Sequence, residues 1–280
     1  MSDHVGPVLP WQLQQAETKG SQVILQFQAA AQAKESRIAD GIPEAEGFLD
    51  SVGGRRVEDV VDFSLLRSWL TICESRHGNA CCPTAQPDDQ HPGPSTVIDC
   101  QDMCLRKNTP RNRYIALSYV WGAAKVFRHI KESSDYLHQP GSLQNLEIPA
   151  TIQDAIALVS GLGERYLWVD SLCIVQDDFA TQAAAISSMD SIYADALFTI
   201  IAAHGDSANA GLPGVRKGSR VHLQQRITTS QGDILSTIDS GSLRSGISRS
   251  TWNTRAWTYQ ERVFSKRTLI FMKGQAYWQC

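Results

Sequence analysis

The sequence predicts an α/β protein with a mainly parallel central sheet flanked by helices on both faces, a flavodoxin-like core with insertions. Two observations carry that expectation. From residue 114 onward, short apolar runs alternate with segments whose apolar residues recur at helical spacing. The resulting order of strand, helix, strand, helix, strand makes each helix a crossover between parallel strands.

The elements follow in order. Residues 1–62, rich in Gln, Ala and Ser, read as an N-terminal extension, and 63–280 as the α/β domain. Within the extension, residues 21–39 place Val23, Phe27 and Ala30 or Ala31 on one helical face, and Gly53-Gly54 marks a connector. Asp62 stands where an N-cap is needed for a helix carrying Leu65, Leu66, Trp69, Leu70 and Cys73, which stops near His77-Gly78. Pro, Asp, Gln and Gly crowd residues 81–94, as in an exposed loop. Residues 114–120 read as a buried strand. A helix starts after Pro149, with Ile152, Ile156, Val159 and Leu162 on one face and Gly161 or Gly163 as its stop. Residues 166–172 form a second strand, Ile186, Met189 and Tyr193 a second helical stripe, and 197–203 a third strand. Residues 205–246 are loop-rich, with a weak strand signal at 221–227. A short helix around 257–262 and two closing strands, 268–272 and 276–279, complete the pattern.

Composition excludes several function classes. The 280 residues are 42% hydrophobic and 20% charged with a net charge of −3, so the chain can bury a large core and carries no basic excess for nucleic acid. No apolar stretch is long enough to span a bilayer, and residues 1–10 lack the basic start and apolar core of a secretory signal. A cytoplasmic location follows by default. Seven cysteines, an odd number set in or beside apolar segments, fit reduced thiols.

Three stretches concentrate polar residues at the ends of apolar runs: Tyr114-Ile-Ala-Leu-Ser-Tyr-Val-Trp-Gly122, Tyr166-Leu-Trp-Val-Asp-Ser-Leu-Cys-Ile-Val-Gln-Asp-Asp178 and Thr254-Arg-Ala-Trp-Thr-Tyr-Gln-Glu261. With Ile192-Tyr-Ala194 and Gly211-Leu-Pro-Gly214, they resemble the HET (heterokaryon incompatibility) domain of filamentous fungi. That resemblance spans about residues 69–280. It implies a cytosolic effector of self/non-self recognition whose activation leads to regulated cell death, with self-association and a fungal recognition partner. HET proteins usually continue further, so a small family member or a domain cut from a larger protein is expected. Residues 179–188 depart from the family, whose members tend to have a charged helix there.

Trp257 and Glu261 are separated by one helical turn, so both project from the same face if the segment is helical. Downstream of a first strand ending in Ser-Tyr, this spacing also looks like TIR domains, some of which cleave NAD with that Glu. The resemblance implies NAD as a substrate, with no resident cofactor. A carboxylate beneath the ribose would stabilise the oxocarbenium-like charge as nicotinamide departs, and Trp257 would wall off water. The alternative is an ion pair of Glu261 with Arg255 or Arg262 and a core role for Trp257. Asp170 interrupts an apolar run, where an isolated charge is expensive. It either binds ribose hydroxyls or orients Arg255, or it accepts N–H groups of the following turn. Asp177 and Asp178 either contact a ligand or a cation, or cap a helix. Ser118, Tyr119 and Trp121 either line the same pocket or fill the core. Cys173 with His204 offers a nucleophile and base, against a plain core thiol. Cys73-x-x-x-His77-x-x-x-Cys81, with Cys82, and Cys100-x-x-x-Cys104 hold zinc-type donors without a standard finger spacing, and no metal is assigned.

Overall fold

A computed structural model describes residues 57–77, 81, 93–221, 224–229, 232–237, 243–255 and 258–280. The described strands are β1 (Thr96–Asp99), β2 (Cys104–Lys107), β3 (Tyr114–Ser118), β4 (Tyr166–Trp168), β5 (Thr199–Ala202), β6 (Gln224–Thr229), β7 (Gly232–Thr237), β8 (Thr268–Phe271) and β9 (Ala276–Gln279). Contacts divide the chain into two compact units. The antiparallel hairpin β6–β7 belongs to one; Glu58–Val221 with Gly241–Cys280 form the other.

The larger unit is built on a seven-stranded sheet of order β2-β1-β4-β3-β5-β8-β9. Its centre is parallel: β3 pairs with β4 and β5, and β5 with β8. Its margins are antiparallel, through β1 with β2 and β4 on one side and β9 with β8 on the other. Taken along the chain, the parallel strands lie in the order second, first, third, fourth, which is flavodoxin-like. The sheet is therefore α/β as expected, parallel at its centre and mixed at its edges. The strands β1 and β2 escaped the sequence reading because a tight turn separates two four-residue segments. That turn is held by Asp99, whose Oδ1 accepts from Gln101 N and Asp102 N, both at 3.1 Å, while Arg165 Nη2 donates to Oδ2 at 2.7 Å.

Eight α-helical segments are described: α1 (Phe63–Arg76), α2 (Ser134–Leu137), α3 (Ala150–Gly161), α4 (Asp170–Cys173), α5 (Phe179–Ser187), α6 (Met189–Asp195), α7 (Leu243–Ser248) and α8 (Thr258–Phe264). Asp62 caps α1, accepting from Ser64 N at 2.9 Å and Leu65 N at 3.1 Å, and Leu66, Leu70 and Cys73 form its buried stripe. α1 lies against the end of α3, where Phe63 meets Gly161 and Arg67 donates to the Gly161 carbonyl at 2.7 Å. The strand expected over 166–172 ends at Trp168. Asp170 opens a helical turn instead of interrupting a strand: Leu172 N and Cys173 N donate to the Val169 carbonyl at 3.1 and 2.7 Å, and Asp170 Oδ1 accepts from Ser171 N at 2.7 Å. The stripe of Ile186, Met189 and Tyr193 is split between α5 and α6 at Ser188. The predicted helix at 21–39 and the loop residues 82–92 lie outside the described residues.

Side-chain alternation along the strands feeds two buried clusters. Ile200, Leu269 and Phe271 join the larger one, with Leu117, Trp168, Ile152 and Val159. Ile201 and Ile270 join the smaller, with Val120, Ile247 and Trp252. Each such aliphatic side chain contributes roughly 1.5–3 kcal/mol by burial. The Gly211-Leu-Pro-Gly214 motif closes the core over α3. Gly211 has φ +74°, and a Cβ there would come within 2.7 Å of Asp154 Oδ2. That buried carboxylate accepts from Leu212 N at 2.8 Å and pairs with Arg216 Nε at 2.6 Å.

Candidate functional site

In an open doubly wound sheet, side chains that leave the carboxyl ends of the strands converge where the strand order reverses. Here that point lies at β3, which has β4 on one side and β5 on the other. Ser118 is its last residue. Asp170 follows the end of β4, and Glu261 reaches the same place from α8, the helix before β8.

Ser118 is the hub. Its Oγ donates to Glu261 Oε2 and accepts from Trp252 Nε1 at 2.7 Å. The three residues are 1%, 3% and 0% exposed, so the carboxylate is satisfied inside the protein rather than by water. Asp170, half-buried, accepts from Trp121 Nε1 at 3.1 and 3.3 Å as well as from Ser171 N. Tyr119 is buried and donates its hydroxyl to Ser171 Oγ at 2.9 Å. Arg255 ties the groups together: its Nη1 donates to the Tyr119 carbonyl, and its charge acts on both carboxylates.

The electrostatics follow from enclosure. Burial, and next the repulsion of Glu261, pushes the Asp170 carboxyl up to about 6, against the Ser171 N–H, Arg255 and the Trp121 indole. Burial also raises Glu261, against the Ser118 hydroxyl and Arg255. Two carboxyl groups raised by enclosure beside one arginine are the kind of group from which acid, base or charge-stabilising roles arise.

Ser118, Tyr119, Trp121, Asp170, Arg255 and Glu261 are thus brought to one end of the sheet. Asp177 and Asp178 are used elsewhere. Asp177 Oδ1 accepts from Lys131 N at 2.8 Å; Asp178 pairs with Lys131 Nζ at 3.1 Å and accepts from Thr181 Oγ1 in the first turn of α5. Thr181 and Lys131 hold Asp178 below its ordinary range. Trp257 lies outside the described residues. Trp252 was missed by sequence reasoning, although a tryptophan inside Ser248-Arg-Ser-Thr-Trp-Asn-Thr-Arg255 is a signal: so large an apolar ring in a polar loop implies burial. Cys173 contacts Val169 N and the Leu167 carbonyl, and burial pushes its thiol up to about 12, the opposite of what a nucleophile needs.

Among the described residues of this unit, two of the clefts are of ligand size. One, of about 830 Å³, runs between the start of β3 and α5, past Tyr114, Trp168, Ala184 and Ile192. The other, of about 650 Å³, lies along α8 and carries Arg255, Arg262 and Lys266. Neither is lined by Ser118, Asp170 or Glu261. Metal-type donors gather at another place, where the donor atoms of Cys73, His77, Cys81 and Cys280 all lie within 4.8 Å of one another. Among the described residues, no helix is long and apolar enough to cross a membrane.

Comparison with curated proteins and with solved structures found no match. Residues 114–261, more than half of the chain and the segment holding Ser118, Asp170 and Glu261, do match the family model of Heterokaryon incompatibility protein (HET), and the chain belongs to that family.

Proposed function

We propose that this HET-family protein is an effector of fungal self/non-self recognition that triggers regulated cell death by hydrolysing the bond between nicotinamide and ribose in NAD. The observation that carries the reading is the gathering of a buried Glu261, bonded to Ser118 at the end of β3, with Asp170 and Arg255 at the carboxyl ends of the central strands, close enough for their charges to act on one another. In the proposed reaction the C1′–N bond breaks and its electron pair leaves with nicotinamide, which becomes neutral. Ionised Glu261, which lines neither cleft and is reached only when Ser118 and Trp252 give way to substrate, stabilises the positive ribose, and water adds to C1′ and loses a proton, giving ADP-ribose. The cations Arg255, Arg262 and Lys266 along the cleft beside α8 suit the pyrophosphate. Arg255 belongs both to that cleft and to the Tyr119 contact.

A second reading, a non-enzymatic module that signals by self-association, rests on the enclosure of Glu261 by Ser118 and Trp252. Expression of the wild type and Glu261→Gln in a fungal host separates the two. Loss of cellular NAD before loss of viability, absent in Glu261→Gln, supports hydrolysis. Equal killing by both proteins at constant NAD supports the module, and no effect on growth from either contradicts the effector reading.

A further inference from the structure

We propose that Cys73, His77, Cys81 and Cys280 bind one zinc ion in a closed, four-coordinate structural site. The sequence separates these residues into a helix end and a distant strand end; the fold brings them together. Cys73 lies in the last turn of α1 and His77 is its C-cap, four residues on and therefore on the same helix face. Cys81 follows the helix. Cys280 follows β9, whose Gln279 pairs with Thr268 of β8.

The geometry is that of a compact coordination shell. With Zn–S of about 2.3 Å and Zn–N of about 2.0–2.1 Å, a tetrahedral ion needs S···N separations of roughly 3.6 Å and S···S separations of roughly 3.8 Å. His77 Nδ1 lies 3.5 Å from Cys81 Sγ and 3.3 Å from Cys280 Sγ, and all four donor atoms fall within 4.8 Å of each other. Hydrogen bonding alone accounts poorly for this grouping. A single Nδ1 has one proton or one lone pair, so it serves one of the two thiols at a time. A cation serves all four donors together.

The surroundings match the charge of such a site. Three thiolates and a neutral imidazole around Zn²⁺ leave one net negative charge. Arg267, 1% exposed, donates Nε to Cys73 Sγ at 3.1 Å and thus places a fixed positive charge against the sulfur. Cys73 and Cys81 are buried while His77 and Cys280 are exposed, which leaves a path for the ion. Soft sulfur donors with one imidazole select zinc over magnesium or calcium, and four protein ligands fill the shell, so the role is structural. The ion would clamp the end of α1 to the β8–β9 edge of the sheet, directly after α8. Cys100 and Cys104, which flank the β1–β2 turn, take no part.

The test uses the full chain purified under reducing conditions without chelator. Elemental analysis is expected to give one zinc per chain, and cobalt exchange to give the visible bands of a tetrahedral ion with thiolate-to-cobalt charge transfer. Cys280→Ser and His77→Ala, both at exposed positions, should each weaken zinc by more than about 100-fold, judged against the 10–100-fold loss typical of outer-shell changes. Cys100→Ala should keep full stoichiometry. A chain that neither carries zinc nor takes up cobalt, a disulfide among the three cysteines in anaerobically purified protein, or unchanged stoichiometry in the Cys280→Ser/His77→Ala double variant would each overturn the site.

Discussion

Replacing Ser118 by Ala removes one hydroxyl that serves two buried partners at once. Glu261 Oε2 loses its donor and the Trp252 indole N–H its acceptor, at positions 3% and 0% exposed. A hydrogen bond to a charged group contributes about 2 kcal/mol and a neutral one about 1 kcal/mol, so Ser118→Ala should cost about 3 kcal/mol. For a unit of this size that corresponds to a fall in Tm of about 6–12 °C. Circular dichroism melts measure the loss, and a cycle with Glu261→Gln isolates the pair. The Ser118 hydroxyl also holds Glu261 down against burial, so the variant should raise its pKa further. A Tm change below about 2 °C, with a coupling under about 0.5 kcal/mol, would refute the hub assigned to Ser118.

Two further outcomes are expected. Gly122 has φ +58°, and a Cβ there would sit 2.3 Å from the Asp206 carbonyl oxygen, so Gly122→Ala should destabilise by about 3 kcal/mol in urea unfolding through left-handed strain and displaced backbone. The raised pKa of Asp170, about 6, means that the folded state binds this proton more tightly than the unfolded chain. Its contribution is therefore favourable below the ordinary carboxylate range and is lost as pH rises through 6. Urea midpoints of Asp170→Asn should lack that component of the pH dependence.

Much of the framework is legible in the sequence because apolar periodicity reports burial directly. Asp62 as a cap, the stripe of α3 and the closing strands β8 and β9 follow from local pattern alone. The first strand of the parallel core appears as an unbroken run because both faces of Tyr114–Ser118 are covered. What the pattern hides is set by polar contacts at a distance. The β1–β2 turn is set by Arg165 reaching Asp99, 66 residues away. Ser118, Asp170 and Glu261 stand out as polar residues beside apolar runs, yet their meeting depends on strand order, which periodicity does not encode. The approach of Cys280 to His77 spans 203 residues and has no local signature at all.

Hydrolysis of NAD is measured as nicotinamide release by the purified full chain, at high protein concentration and with an enforced dimer alongside. The wild type should turn over NAD, and Glu261→Gln should lose at least about 100-fold while retaining the wild-type circular dichroism spectrum. No release in either assembly state, or equal release by Glu261→Gln, would contradict NAD hydrolysis through Glu261.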